Sequence, residues 1–449
     1  MDKKVFLKKL LTLSIPIIIQ QFIQAALNLV DTVMIGRLGS EEIAAVGIAN
    51  QVFFFVMMII FGINSGVSVY IAQFFGRRDN KNIKKTMGVS LVSGGAIGIV
   101  FCIIAVSFPK QLMGLFIDND HVVELGVSYL KIVGFSYLFM SISLSFHVAS
   151  RGIGKTFVPM IVTAVALSVN TLLNYALIFG NFGLPELGIE GAAIATLIAR
   201  IIEFLLMMAI IYGTHSLLAA RIKDLLAFDL GFFIKIFEKA GPVLLNEVFW
   251  SLGTIVYMWS IGQINADAVA SYQITLSAYR FYEVAFIGFA SAASVMVGNS
   301  IGAGKDELAK FYAKEVSRKA VLFSMFMSLL MFVLAPYILK LYNVPEIVMS
   351  NSLKLFYIYC FYGLFRMYNL MKIVGIFRGG GDTKFAMLTE MGSVWLVGVP
   401  LALLGSVVLK LSVVYVVWML LTEEVVKTII CYRRFKSEKW LHNLIHEIK

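Results

Sequence analysis

An aspartate, Asp31, stands inside an apolar run near the start of the chain. A carboxylate deep in a bilayer costs about 2.5–3.5 kcal/mol on insertion scales, so an acid kept there is hydrated near an interface, paired, or used to hold a cation. Asn170 and Asn174 lie four apart in a later apolar run, so on a helix both amides face one way. Thr196 follows in Gly-Ala-Ala-Ile-Ala-Thr. Together the four offer carbonyl, hydroxyl and carboxylate oxygens with one negative charge, a set suited to Na+ or to a proton. Amides of this kind also serve as hydrogen-bond links between membrane helices.

The second half of the chain is richer in charge. Glu247 follows Pro242; Arg280 and Glu283 are three apart; Arg366, Asn369 and Lys372 share one apolar stretch, and Glu390 lies in the next. Charges inside a membrane pair or face a water-filled cavity. The expectation is an interior network of Glu247, Arg280, Glu283 and Arg366, either with an acid free to titrate or bind a cationic drug, or as a static ion-pair lattice. Arg200 and Glu203 read as an ion pair near the cytoplasmic interface, and His147 as a packing residue. The 21 methionines and aromatics such as Phe53, Tyr257, Trp259 and Tyr279 suit a cavity for flat cations. They suit helix packing and lipid contact equally.

Enzyme signatures are lacking. There is no HExxH and no CxxC, and Cys102, Cys360 and Cys431 lie in separate apolar segments. Gly152-Ile153-Gly154-Lys155-Thr156 lacks the spacer of a nucleotide-binding P-loop, so ATP drive is not expected. The expectation is a non-enzymatic protein with no cofactor beyond a coupling ion.

Composition fixes the elements that position these residues. Of 449 residues, 59% are hydrophobic and 14% charged, with mean hydropathy +0.85. A soluble domain would be near half apolar and about a quarter charged. A polytopic membrane protein follows. At roughly 20 residues per crossing, about twelve spans fit, the first near 11–35 and the last near 411–431. The net charge of +11 falls in loop clusters, not in a nucleic-acid-binding pattern. Roughly 28 of the 38 Lys and Arg lie in alternate loops and both termini, which makes the termini cytoplasmic. The opposite loops are acidic or neutral, as at Glu41-Glu42, 118–124 and 186–190.

The halves repeat. Pro16 matches Pro242, Gly36 matches Gly262, Gly62 matches Gly288 and Gly76 matches Gly302, all at an offset of 226. After a slip of one residue, Arg151-Gly152-Ile153-Gly154-Lys155-Thr156 matches Arg378-Gly379-Gly380-Gly381-Asp382-Thr383. Six spans per half make the repeats parallel, as in alternating-access transporters. The expected organisation is a six-helix lobe at 1–212, a cytoplasmic linker at 213–234 and a second six-helix lobe at 235–449.

The stretch from Pro16 to Gln51, with Asp31, Met34-Ile35-Gly36 and Ala44-Ala45-Val46-Gly47-Ile48-Ala49-Asn50-Gln51, resembles the multidrug and toxic compound extrusion (MATE) family, and the two turn motifs add to the likeness. The resemblance implies an all-α integral membrane fold of twelve helices, with two lobes in a V around a central cavity. It implies secondary antiport of cationic and amphipathic drugs or toxins against Na+ or H+ by a monomer in the inner (plasma) membrane. It assigns Asp31, Asn170, Asn174 and Thr196 to the N-lobe cation site and matches Glu247 to an acid of one family branch. That branch also uses an aspartate in its tenth span, and none stands there in this chain. The wider superfamily includes lipid-linked oligosaccharide flippases, the alternative reading, for which Arg280, Arg366 and Lys372 would count.

Overall fold

A computed structural model describes residues 3–117, 119–340, 342 and 344–445; Asp118 lies outside them. Among the described residues the chain is helical, apart from loops and one isolated bridge from Gly381 to Leu441. The long elements are α1 (Lys3–Gly36), α2 (Ser40–Arg77), α3 (Asn80–Ser107), α4 (Asp120–Val133 bent into Ser136–Gly152), α5 (Phe157–Phe179) and α6 (Gly188–Gly213). They continue as α7 (Leu230–Gly262), α8 (Ala266–Gly302), α9 (Asp306–Leu339), α10 (Glu346–Leu370), α11 (Thr383–Ser393, running on to Val408) and α12 (Val413–Lys436).

Among the described residues, eight helices are long and apolar enough to cross a membrane, nine if the two parts of α4, bent by 50°, form one span. The further long helices α7, α10 and α12 have 33, 25 and 24 residues. With them the arrangement is consistent with the twelve helices expected. The outer face of α9 shows why a bilayer is needed. Leu322, Phe326, Leu329, Val333 and Tyr337 recur at helical spacing and are all more than half exposed, an apolar stripe that water would not tolerate.

The chain divides into two compact units. One, here the N-terminal unit, comprises Ile19–Phe75 and Asp79–Ala240; the C-terminal unit comprises Met1–Ile18, Gly76–Arg78 and Gly241–Lys449. In the N-terminal unit, Val46, Val56 and Ile60 of α2 pack with Leu130 and Tyr137 of α4 and Ile178 of α5. Gly191 lets α6 lie against α5, because a Cβ there would strike the Leu177 carbonyl; small residues allow such approaches where no hydrophobic force drives helices together. The C-terminal core is aromatic. The Tyr279 ring of α8 lies tilted against Tyr282 at 4.9 Å and Tyr359 of α10 at 5.0 Å.

The two repeat turns end their helices in the same way. Gly154 (φ 81°) and Gly381 (φ 85°) take the left-handed conformation that terminates a helix. Each donates its N–H to the carbonyl of the motif arginine, Arg151 or Arg378, at 2.9 Å. The halves differ beyond that turn. α10 continues as a π-helix over Met371–Arg378, and α11 contains two more, Val394–Gly398 and Leu404–Val408.

Candidate cation site

Asp31 sits on α1 near the end of that helix, half-buried. Asn174 Nδ2 donates to its Oδ1 at 2.8 Å. Asn170, with its amide turned to satisfy both neighbours, donates to Asp31 Oδ2 at 2.9 Å and accepts from the Thr196 N–H at 3.3 Å. The spacing of four on α5 is what lets both amides reach one carboxylate. Thr196 Oγ1 donates to the Ala192 carbonyl at 3.0 Å, and the Tyr129 hydroxyl faces the Thr196 side chain. The four residues named from sequence therefore meet in one place, with Tyr129 as a fifth member that the sequence reading missed.

Asn174 is 2% exposed, and its Oδ1 has no hydrogen-bond partner among the described residues. An amide offers N–H donors on one side and a carbonyl oxygen on the other. Without a cation, the N–H groups of Asn170 and Asn174 neutralise the Asp31 oxygens. A half-turn of either amide replaces a donor by a carbonyl oxygen, the ligand a hard cation takes.

Arg200 and Glu203 are paired at 2.7 Å, as expected. Glu203 and His147 are each 4% exposed, and His147 Nε2 lies 3.8 Å from the second Glu203 oxygen. The Arg200 guanidinium also covers the Phe53 ring at 5.8 Å. Two apolar helices, α4 and α6, carry these polar groups into the protein. Nearby, Arg151 donates to Gln20 at 2.7 Å and Gln20 to Thr163 at 2.7 Å.

The charge network expected in the second half is rearranged. Glu283 pairs with Arg366 at 2.7 Å. Glu247 pairs instead with Arg378 at 2.8 Å, and Glu390 lies 3.8 Å from the same guanidinium. Arg280 is exposed and belongs to neither group. Arg378 reads from sequence as a loop residue, yet it is 4% exposed, because the π-helical end of α10 turns it inward. Lys372 is buried, donates to Ser317 at 2.7 Å and lies over the Phe435 ring at 3.0 Å. The sequence reading also passed over Glu423, Glu424 and Lys427, all buried on α12. Three charges within five residues of an apolar run were the available signal.

A membrane-embedded bundle with oxygen-rich polar sites inside each unit defines a transporter-like class of protein. The family model MatE matches residues 16–176 and again 242–404, the second match beginning 226 residues after the first, and the chain belongs to the MATE family. It is 26% identical over 411 residues to the "Probable multidrug resistance protein YoeA" of Bacillus subtilis, covering 89% of this chain and 87% of that one. It is 26% identical over 412 residues to the multidrug resistance protein PmpM of Pseudomonas aeruginosa, covering 88% and 83%. A solved MATE structure in complex with MaL6 superposes with TM-score 0.88 at 18% identity, covering 96% of each chain. A MOP superfamily transporter from Pyrococcus furiosus, described as having a binding pocket of reverse polarity, gives 0.86 at 19% identity, covering 96% and 95%.

Proposed function

We propose that this protein is a secondary multidrug antiporter of the inner (plasma) membrane, with both termini cytoplasmic. It exports cationic and amphipathic small molecules by alternating access, in exchange for inward Na+ or H+. The observation that carries the reading is the meeting of Asp31 with the amides of Asn170 and Asn174 beside Thr196. One carboxylate with reversible amide partners can hold a single monovalent cation and give it up again. Moving one charge down the membrane potential supplies about 2.3 kcal/mol per 100 mV, enough to sustain tenfold-scale gradients. The curated relatives named for multidrug resistance support the substrate class. A monomer suffices for this cycle.

A flippase of the same superfamily would need free bases to hold an anionic headgroup. Three bases of the C-terminal unit are engaged, Arg366 by Glu283, Arg378 by Glu247 and Lys372 by Ser317, which leaves the exposed Arg280 to meet such a headgroup. That favours the antiporter.

The test is dye efflux from proteoliposomes under separate Na+ and H+ gradients. One gradient drives efflux from the wild type, and Asp31→Asn abolishes it. If neither gradient moves any cationic dye, the antiport reading fails and a lipid-linked substrate takes its place.

A further inference from the structure

The C-terminal unit holds a buried polar cluster that the Asp31 site does not involve. Lys427 Nζ, 3% exposed, stands 3.7 Å from Glu423 Oε1 and 3.5 Å from Glu424 Oε1. The outer carboxylate oxygens have other donors: Tyr257 OH reaches Glu423 Oε2 at 2.7 Å, and Asn369 Nδ2 reaches Glu424 Oε2 at 2.7 Å. Thr428 fixes that asparagine by donating to its Oδ1 at 2.9 Å.

Its position in the fold is informative. Tyr257 stands the same distance from Pro242 and Gly262 as Asp31 does from Pro16 and Gly36. It is the repeat partner of Asp31. In the N-terminal unit the first helix of the repeat brings the acid, and the sixth brings a hydroxyl, Thr196. In the C-terminal unit the first helix brings the hydroxyl, Tyr257, and the sixth brings the acid, Glu423. The same polar level of the bundle is kept with the roles exchanged.

The charges do not balance. Counting the neighbouring Arg366–Glu283 pair, three acids (Glu283, Glu423, Glu424) face two bases (Arg366, Lys427). Of the other groups facing the cluster, Glu390 of α11 adds negative charge; it accepts from Asn246 at 2.8 Å and lies 3.8 Å from Arg378, whose charge Glu247 balances. Tyr272 and Tyr279 of α8, Tyr359 of α10 and Cys431 of α12 are neutral in their ordinary forms. An unbalanced charge in a low-dielectric interior is expensive, so one more positive charge belongs here. Lys427 already fills the space between the carboxylates, where a metal ion would have to sit. A proton needs no added space. A second, independent feature points to it: the Tyr279 hydroxyl, 2% exposed, has no hydrogen-bond partner among the described residues and lies within electrostatic reach of Glu424, Glu283 and Arg366. It is a spare acceptor for a protonated carboxyl.

We propose that Glu423 and Glu424, with Tyr257 and Lys427, form a second cation site that carries one exchangeable proton. Release breaks one carboxyl O–H bond and delivers the proton to water; uptake reverses the step. The place of this site in transport rests on the antiport reading, but its protonation does not.

The experiment is infrared difference spectroscopy of the full chain in liposomes across a pH step, read at the protonated-carboxyl carbonyl stretch. The band is expected in the wild type and in Asp31→Asn, and it disappears in Glu423→Gln or Glu424→Gln. Tyr257→Phe keeps the fold, shifts the band and changes the proton affinity by about fivefold, the weight of one hydrogen bond. A band absent from the wild type overturns the proposal, as does one that survives both glutamate substitutions, one lost with Asp31→Asn, or one unmoved by Tyr257→Phe. Gradient-driven dye efflux measured on the same samples separates the two readings. A wild type that shows the band but no efflux sinks the antiporter and leaves the proton site standing.

Discussion

The two turn arginines hold matching places in the repeat and meet opposite company. Arg151 reaches a neutral amide, Gln20, which in turn reaches Thr163. Arg378 reaches a carboxylate, Glu247, with a second carboxylate, Glu390, close by. The residues gathered around each arginine come from the same two helices of the half, the first and the fifth. What differs is the sign of the local balance: one surplus positive charge beside Arg151 and one surplus negative charge beside Arg378. The lesson is that a duplicated scaffold conserves where polar groups go before it conserves which charge they carry. The Asp31 and Tyr257 levels teach the same thing from the other side.

The comparison can be broken most forcefully at Asp31. Asp31→Asn is expected to abolish gradient-driven efflux, whereas Tyr257→Phe retains it with an altered pH profile; equal loss in both would end the distinction between the two levels. Next in size, Glu247→Ala leaves Arg378 buried with only the more distant Glu390. Thermal unfolding in detergent should show about 3 kcal/mol lost, the low end for breaking a buried pair. Replacing both partners, Glu247→Met with Arg378→Met, should recover most of that, since apolar packing often matches a buried ion pair. Gly398→Ala is smaller. Its Cβ would run into the Tyr257 hydroxyl and come within 2.7 Å of Glu423 Oε2, so a loss of about 1–3 kcal/mol from overpacking is expected in the same melt. Gln20→Ala should cost least, about 1–2 kcal/mol, because it removes one partner of a charged donor but no charge. If Gln20→Ala proved as damaging as Glu247→Ala, the charge difference between the halves would not matter.

The Asp31 site was legible because its signals are local. One acid in an apolar run, two asparagines at helical spacing and one threonine needed no knowledge of partners. The helical class, the repeat and the family could be read in the same way. Partner choice could not. The sequence puts Glu247, Arg280, Glu283 and Arg366 in one network, whereas the structure pairs Arg366 with Glu283 and Glu247 with Arg378, at the end of α10, and leaves Arg280 exposed. Hydropathy averages over a window and cannot tell a charge facing lipid from one turned inward at a π-helix. That same averaging hid Glu423, Glu424 and Lys427, whose apolar neighbours Val416, Val417, Leu420 and Leu421 dominate α12.

The π-helical turns of α11 leave a mark on its length. A π turn takes in one residue more than an α turn, and the stretch Thr383–Val408 has 26 residues where Phe157–Phe179, regular throughout, has 23. The extra residue of each π turn is absorbed as a local widening that leaves the helix intact. Single-codon deletions at Val394–Gly398 or Leu404–Val408, which would return a π turn to an α turn, should therefore be among the better tolerated indels in the chain.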